Sequence, residues 1–327
     1  MPFLRRVTAG RGIPESRIAK VAQHYYDVGG ASPINTSCRR LLTALRPELD
    51  DLGLALYWGN RNWPPFLADT LAQMGDDGVT RALALVTSAY GGYSSCRQYL
   101  DDICAARAAV GAAAPEISKL RLFYNHPGWV APWAASLRRA VDQAHQAHQA
   151  GPVTAQGPPG DAGGPGAYAE DDVEVLFSAH SIPLAMARTS PYVEHVTETA
   201  RLCAELAGVK SWRLVWQSRS GPPGSPWLGP DVGDVIEAST AGSIVVAPIG
   251  FVCDNMEIVH DLDVEAAAAA RRRGARLYRA ATVTTSPDFV GMVRQLVEER
   301  LGLGRQRAAL GSSGPWPDTC PAGHCPL

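Results

Sequence analysis

The chain has 327 residues, with 30 Lys and Arg against 32 Asp and Glu, a formal charge of −2 and 46% hydrophobic residues. The apolar fraction is ample for globular cores and the length suits two domains of about 150 residues each, which excludes disorder as the main state. A charge this close to zero gives no electrostatic footprint for nucleic acid, and no run approaches the ~18 apolar residues of a membrane span.

The opening segment MPFLRRVTAGRGIPESR has no apolar core of ~7–15 residues and no small-residue cleavage site, so it does not read as a secretory signal, and a cytoplasmic protein is expected. Seven Cys, an odd number spread along the chain, fit free or metal-bound thiols better than a disulfide framework. Short apolar runs then alternate with longer helical patterns. They are Leu54 to Trp58, Ala82 to Thr87, Leu120 to Tyr124, Val173 to Phe177, Trp212 to Trp216, Ile244 to Ala247 and Arg276 to Arg279. Runs without strict alternation predict strands buried on both faces, and the intervening helices predict βαβ units. The expected class is α/β with parallel sheets flanked by helices. Between the third and fourth runs Gly151 to Gly166 is dominated by Gly and Pro and keeps no hydrophobic period, which reads as a flexible insertion.

Three runs precede that insertion and four follow it. If the halves repeat one four-stranded unit, the first half lacks a strand, and Met1 leads straight into a helical pattern. The expected organisation is a first domain over 1–150, the insertion over 151–170, a second domain over 171–285, a helix over 286–304 that packs back on the first domain, and a tail over 305–327. That tail is rich in Gly, Ser and Pro, carries Cys320 and Cys325, and is expected to be tied down by something other than packing.

The densest chemical signal is PIGFVCDNMEIVHDLDVE, Pro248 to Glu265, directly after the run ending at Ala247. That places it at the carboxyl edge of a parallel sheet, where open α/β sheets bind ligands. Glu257, Asp261 and Glu265 recur at i, i+4 and i+8, which on a helix puts three carboxylates on one face, rising ~6 Å per step. A solvated acidic face is the plain alternative. Against it, no Lys or Arg lies between Pro248 and Ala270, and a row of hard oxygen ligands passing a divalent cation along would justify the repulsion. His180, in FSAHSIP, also sits at a strand's carboxyl end. A lone His is usually structural, but an imidazole and a carboxylate on neighbouring strand ends suit proton transfer and metal handling together. The loop WQSRSGPPGSPWLGPD, Trp216 to Asp231, reads as the wall of a cavity, and HYYDVGGASPIN with YNHPGW as a seat for an apolar ligand with polar edges. No phosphate-loop, nucleophile-elbow, dinucleotide or paired CxxC motif occurs.

Taken together, these segments resemble the ferrochelatases, which insert Fe²⁺ into a porphyrin late in haem synthesis. The resemblance runs in order from PFLRRVTAGRGIP through HYYDVGGASPIN, TSAYGGYSSCRQY, YNHPGW, SAHSIP, WQSRSGPPGSPWLGPD and PIGFVCDNMEIVHDLDVEA. It implies two Rossmann-like, chelatase-type domains with the porphyrin cleft between them. Residue by residue it implies His180 and Glu257 as the catalytic pair and metal ligands, with Asp261 and Glu265 continuing an iron path. Ser32 and Tyr124 fall where the Gram-positive type contacts the propionates. Metallation removes two pyrrole protons while a cation enters, so a proton acceptor must stand beside a metal ligand.

Departures from the pattern carry their own expectations. Cys253-Asp254-Asn255 stands where Ser-Asp-His is usual, so Asn255 removes a titratable group beside the site. The family's first strand, internal to its sheet, has no counterpart, which would leave two neighbours' backbone groups unpaired at ~1–3 kcal/mol for each buried group; Met1 is therefore expected to be a misplaced or truncated start. The tail resembles that of high-GC Gram-positive ferrochelatases that carry a [2Fe–2S] cluster, with Cys320, His324 and Cys325 as candidate ligands. Cys96 is the first choice for an interior fourth, and Cys253 or Cys104 the next. The implied substrates are Fe²⁺ and a porphyrin, coproporphyrin III ahead of protoporphyrin IX, with transient contacts to other haem-pathway enzymes and none to nucleic acid. Two other readings compete: a class II chelatase loading cobalt or nickel into a tetrapyrrole, and a non-catalytic haem or porphyrin carrier.

Overall fold

Helical sequence dominates the first eighty residues. In the computed structural model, which describes residues 2–10, 12–149, 172–220, 224–303, 306–320 and 325, these form α1 (Pro2–Val7), α2 (Glu15–Asp27), α3 (Ile34–Asp50) and α4 (Leu67–Asp76). Next come β1 (Arg81–Ala84), a π-helical stretch Tyr93–Arg97, α5 (Gln98–Val110), β2 (Glu116–Lys119) and α6 (Pro127–Gln149). The second half runs β3 (Val173–His180), α7 (Leu184–Arg188), α8 (Tyr192–Ala207), β4 (Arg213–Gln217), α9 (Val232–Ala238) and β5 (Ser243–Ala247). It continues through α10 (Met256–Ile258), a π-helical stretch Val259–Ala266, α11 (Ala267–Arg272), β6 (Arg276–Arg279) and α12 (Pro287–Leu301). The expected Gly151–Gly166 insertion lies outside the described residues.

The strands of both sheets pair in parallel. The second sheet has the order β4-β3-β5-β6, and β1 pairs with β2 in a two-stranded sheet. Strand β3 shows why these runs are continuously apolar: Val175, Phe177 and Ala179 join the core shared with the first half, while Leu176 joins the core under α9 and the helix after β5. A strand covered on both faces cannot alternate polar and apolar residues.

Two predicted strands are corrected. Leu54 to Trp58 is no strand, and Leu120 to Tyr124 follows β2 as irregular chain with Leu122 and Phe123 fully buried. The second sheet's order explains the first case. There the leading strand β3 lies between the second and third strands of its half, β4 and β5. By the same order, Leu54–Trp58 would reach β1 only through an intervening strand, and none of the described residues supplies it. In the second case the last bond to β1 is Leu120 N–H to the Ala84 carbonyl at 2.9 Å, and beyond it the Asn125 carbonyl accepts from the Leu310 N–H of the tail at 2.8 Å.

Helices cross between the halves. α6 packs on β5 and β6 of the second sheet and on α8, whereas α12 packs on α6 and α3, so packing runs across the boundary expected at residue 150. Arg121 and Glu299 on α12 make a bidentate ion pair at 2.7 and 3.0 Å, with side chains 1% and 3% exposed. The expectation that packing does not hold the tail is also corrected. Trp316 lies edge-on to Tyr124 and to His195, Leu310 donates its backbone N–H to Asn125 at 2.8 Å, and Arg307 pairs with Asp318 at 2.5 Å. The composition hid one aromatic anchor and a few well-placed hydrogen bonds. No helix among the described residues is long and apolar enough to cross a membrane.

Candidate active site

β3 ends on His180 and β4 on Gln217, and the two are register partners. β5 ends at Ala247 and leads directly into the PIGF segment. There Gly250 lies against β3, its backbone N–H donating to Ser178 at 3.1 Å; a Cβ on Gly250 would sit 2.6 Å from the Ala179 Cα. Only a residue without a side chain allows that approach, and the approach brings the following helix to His180. The Tyr90 hydroxyl, from the first half, fixes the same segment by donating to the Ile249 carbonyl at 2.6 Å.

The pair expected from sequence meets. His180 Nε2 stands 3.4 Å from Glu257 Oε1, with the side chains 31% and 45% exposed. His180 Nδ1 is 2.5 Å from the Ser181 carbonyl, and Tyr192 donates to the His180 carbonyl at 3.0 Å. With Nδ1–H engaged on a backbone acceptor, Nε2 is the basic atom turned toward Glu257. Burial alone would lower the His180 pKa, but the hydrogen bond and charge of Glu257 outweigh it and raise it above the ordinary value. Burial pulls the Glu257 carboxyl upward, yet the His180 hydrogen bond and charge, with that of Asn255, hold it below the usual carboxylate range.

Asn255, flagged as a departure, has two jobs. Its carbonyl oxygen caps α10 by accepting from the Ile258 N–H at 2.9 Å, and its amide donates to Glu257 Oε2 at 3.3 Å. It therefore orients the carboxylate without a charge of its own. Asp254 is paired with Arg279 at 3.1 Å, and Arg279 also holds Asp263 at 2.6 Å. The cation missing from the segment itself thus arrives from β6, while among the described residues Glu257, Asp261 and Glu265 have no Arg or Lys as an ion-pair partner.

The acidic row lies on a helix whose middle is π-helical, from Val259 to Ala266, rather than the regular α-helix expected. Wider turns of this kind recur at functional sites, and here one spans the row itself. Asp261 accepts from Ser218 Oγ, and Gln217 Nε2 lies 3.4 Å from the Glu257 carbonyl and 3.5 Å from Asp261. Gln217 is fully buried and its other end accepts from Ser178 at 2.8 Å. Ser218 holds φ at 62°, a conformation unusual for a residue with a side chain, and this aims its hydroxyl at Asp261. Burial pushes the Asp261 carboxyl up, with the nearby Glu257 charge adding to it against the Ser218 hydrogen bond.

The opposite wall comes from α2. Tyr25 stands close enough to Glu257 for burial and that charge to push its hydroxyl up to about 12, and His24 stacks flat on His260, with ring centroids 3.7 Å apart. Arg17 reaches across to the Ser220 carbonyl at 3.5 Å. Tyr25, Gln217, Ser218 and His260 were not singled out from the sequence. The usable signal for two of them was position: Gln217 and Ser218 directly follow a strand that neighbours the one ending in His180.

Ser32 is half-buried in the loop after α2, where its Oγ accepts from the Ile34 N–H at 3.4 Å. Tyr124 is buried, stacked on His195 with centroids 3.8 Å apart and edge-on to Trp316, so its contacts are with α8 and the tail rather than with His180 or Glu257. Of the thiols, Cys96 is hydrogen-bonded to Cys320, and that bond together with burial raises its pKa. Burial and the neighbouring Cys320 raise Cys325. Cys253 is hydrogen-bonded to Cys38 and Cys104 is exposed, so neither joins this group. His324 lies outside the described residues.

Comparison with known proteins adds a separate line of observation. A family model described as ferrochelatase matches residues 1–301. A ferrochelatase from Rhodopirellula baltica is 45% identical over 331 residues, covering 99% of this chain and 88% of that protein. A coproporphyrin III ferrochelatase from Frankia alni is 46% identical over 340 residues, covering 99% and 81%. Among solved structures, the sirohydrochlorin chelatase SirB from Bacillus subtilis subspecies spizizenii in complex with cobalt is 12% identical over 82% of this chain and 92% of its own, with a TM-score of 0.49.

Proposed function

The chain belongs to the ferrochelatase family, whose enzymes insert Fe²⁺ into a porphyrin in haem biosynthesis, and from that premise we propose that it metallates coproporphyrin III in the cytoplasm through His180 and Glu257. The single observation that supports the site assignment is the 3.4 Å contact of His180 Nε2 with Glu257 Oε1, contributed by two crossover units of one sheet and faced by α2. Two pyrrole N–H protons must leave as iron enters. An imidazole nitrogen and a carboxylate oxygen side by side offer one group to receive a proton and one to hold the cation. Beyond them Asp261 and Glu265 give an approaching cation oxygen ligands in steps along the helix, and Ser32 is assigned to a propionate. The choice of coproporphyrin III follows relatives named for that substrate at 42–46% identity.

The tail supports a second assignment, a [2Fe–2S] cluster held by Cys96, Cys320 and Cys325 with His324 as the fourth ligand. The fit rests on the donor set: thiols from widely separated parts of the chain converge, and thiolates are the ligands such clusters take. When bound, a cluster of this type supplies one-electron transfer. Cys96 lies buried beneath the docked tail, so its thiol and that of Cys320 would fix the tail to α5's lead-in turn.

Anaerobic incubation of the protein with Fe²⁺ and either coproporphyrin III or protoporphyrin IX, followed by the Soret band, tests the reading. Metallation of coproporphyrin III in preference to protoporphyrin IX is expected. Porphyrin binding without metallation would make the protein a carrier, and metallation only with Co²⁺ would make it a chelatase of the other class. For the cluster, anaerobic reconstitution should give visible charge-transfer bands that Cys96→Ser abolishes; a colourless wild-type protein contradicts it.

A further inference from the structure

One side chain anchors the segment that carries Glu257 on both sides of it. Arg279 is the last residue of β6, in register with Val246 of β5, so it stands at the sheet edge from which the PIGF segment departs. Its guanidinium grips two carboxylates, each through two hydrogen bonds. Nη1 and Nη2 donate to Asp254 Oδ1 and Oδ2 at 3.1 and 3.2 Å, and Nε and Nη2 donate to Asp263 Oδ1 and Oδ2 at 2.6 and 3.2 Å. The Thr282 hydroxyl adds a further bond to Asp254 Oδ1 at 3.0 Å. Asp254 precedes Glu257 by three residues and Asp263 follows it by six, so the two grips bracket α10 and the first part of the π-helical stretch.

That stretch needs an external hold. π-Helical backbone is rare and occurs mostly as single turns, whereas this run continues for eight residues. Between Asp254 and Glu257, Asn255 caps α10 and turns its amide to Glu257 Oε2 at 3.3 Å, so the place where Asp254 is pinned decides where that carboxylate points. We propose that Arg279 is a positioning residue for metallation: by pinning Asp254 and Asp263 to the end of β6 it holds Glu257 at its 3.4 Å contact with His180. The fork shape is essential. Five N–H donors in one plane serve two carboxylates at once, whereas the Lys ammonium carries the same charge without that plane. The proposal rests on the reading that Glu257 carries metallation, and it assigns the group that sets its place.

Arg279→Lys preserves the charge and removes the fork. Asp263→Asn, at an exposed position, loosens one grip only and supplies the test if the Lys variant does not fold. Single-turnover metallation of coproporphyrin III is measured for each, alone and combined with Glu257→Gln, and deuterium uptake by the porphyrin-free proteins is followed by mass spectrometry. Arg279→Lys should lower the rate at least tenfold and Asp263→Asn at least threefold, with porphyrin affinity within threefold of wild type. Combined with Glu257→Gln, neither should lower the residual rate more than twofold further, because the group it places is already gone. A residue that only supports the fold would cost as much in both backgrounds. Uptake across 254–266 should quicken at least tenfold in Arg279→Lys and detectably in Asp263→Asn, while that across β3 and β5 stays as in wild type. Rates within twofold of wild type in both variants, or the same fold-loss with and without the Glu257 carboxylate, overturn the positioning role; unchanged uptake across 254–266 overturns the clamp itself. A failure of the Glu257 reading would show separately, as a wild-type rate in Glu257→Gln alone, and the uptake measurement does not depend on it.

Discussion

Gly250→Ala is a severe perturbation at a residue that touches no reacting atom. The added Cβ would meet the Ala179 Cα at 2.6 Å, the Ala179 Cβ at 2.7 Å and the His180 backbone nitrogen at 3.3 Å. The nearest of these are backbone or backbone-anchored atoms of a central strand, so no flexible side chain can swing away. Restoring an ordinary contact of 3.4 Å requires the PIGF segment to retreat by the difference, about 0.8 Å. Overpacking of this kind costs about 1–3 kcal/mol of stability. Its larger effect is on geometry: the displaced segment leads to Glu257 while the strand it leans on ends in His180, so their 3.4 Å contact opens. A misplacement near 1 Å at a reacting centre costs roughly 10²-fold in rate. The assay is initial-rate metallation with urea unfolding on the same preparation. A loss of about a hundredfold in turnover, with the folded state retained at low urea, is expected; turnover within threefold of wild type would refute the reasoning.

Further predictions concern the pair and its supports. Whichever role His180 takes, proton acceptor or iron ligand, it must be neutral, and because Glu257 raises its pKa, activity should rise with pH through a midpoint above 6.5 and the midpoint should fall in Glu257→Gln. An acid limb with its midpoint unchanged by Glu257→Gln would contradict this. The stability contributions have opposite signs: that of His180 is present below 6.5 and lost as pH climbs through its raised value, while that of Glu257 is present above 4.5 and lost as pH drops through its depressed one. Urea unfolding of wild type and His180→Ala at several pH values should therefore show their difference shrinking toward alkaline pH. Arg121→Met takes the nearer arginine from the buried Glu299 carboxylate, leaving it Arg307 at 3.7 Å and the Ala308 N–H at 3.3 Å, and should cost about 3 kcal/mol in the same assay; a cost below about 1 kcal/mol would show that the pair is not the anchor of α12. Ser218→Ala removes a hydrogen bond to a carboxylate, a loss of about 1.5–3 kcal/mol, and should raise the KM for Fe²⁺ roughly tenfold with a smaller change in kcat.

What the sequence revealed and what it concealed follow from how local each signal is. His180 and Glu257 were legible because both sit just past apolar runs long enough to define a strand's end, and a parallel sheet collects its strand ends along one edge. The strands of the second half were legible for the same reason. Leu54 to Trp58 has the same composition but is no strand, because pairing depends on a neighbour that no local pattern encodes. The π-helical stretch escaped the i, i+4 reading, since the carboxylate spacing is compatible with either helix and the hydrogen-bond pattern leaves no mark in residue types. His24 and His260 lie 236 positions apart and meet only through the packing of α2 on the second half. Tyr124 shows another contact that no local pattern encodes. Its motif was read as part of a substrate seat, yet its ring is stacked between α8 and the tail, whose Trp316 gave no periodic signal.

Single-turnover metallation of coproporphyrin III by anaerobic Fe²⁺, followed by stopped-flow absorption with porphyrin affinity measured alongside, reaches the central claim most directly. His180→Ala and Glu257→Gln should each bind the porphyrin as wild type does and lose more than nine-tenths of the metallation rate, at least 1.4 kcal/mol in the barrier. Either variant retaining more than about a tenth of the wild-type rate would show that the pair does not carry the reaction.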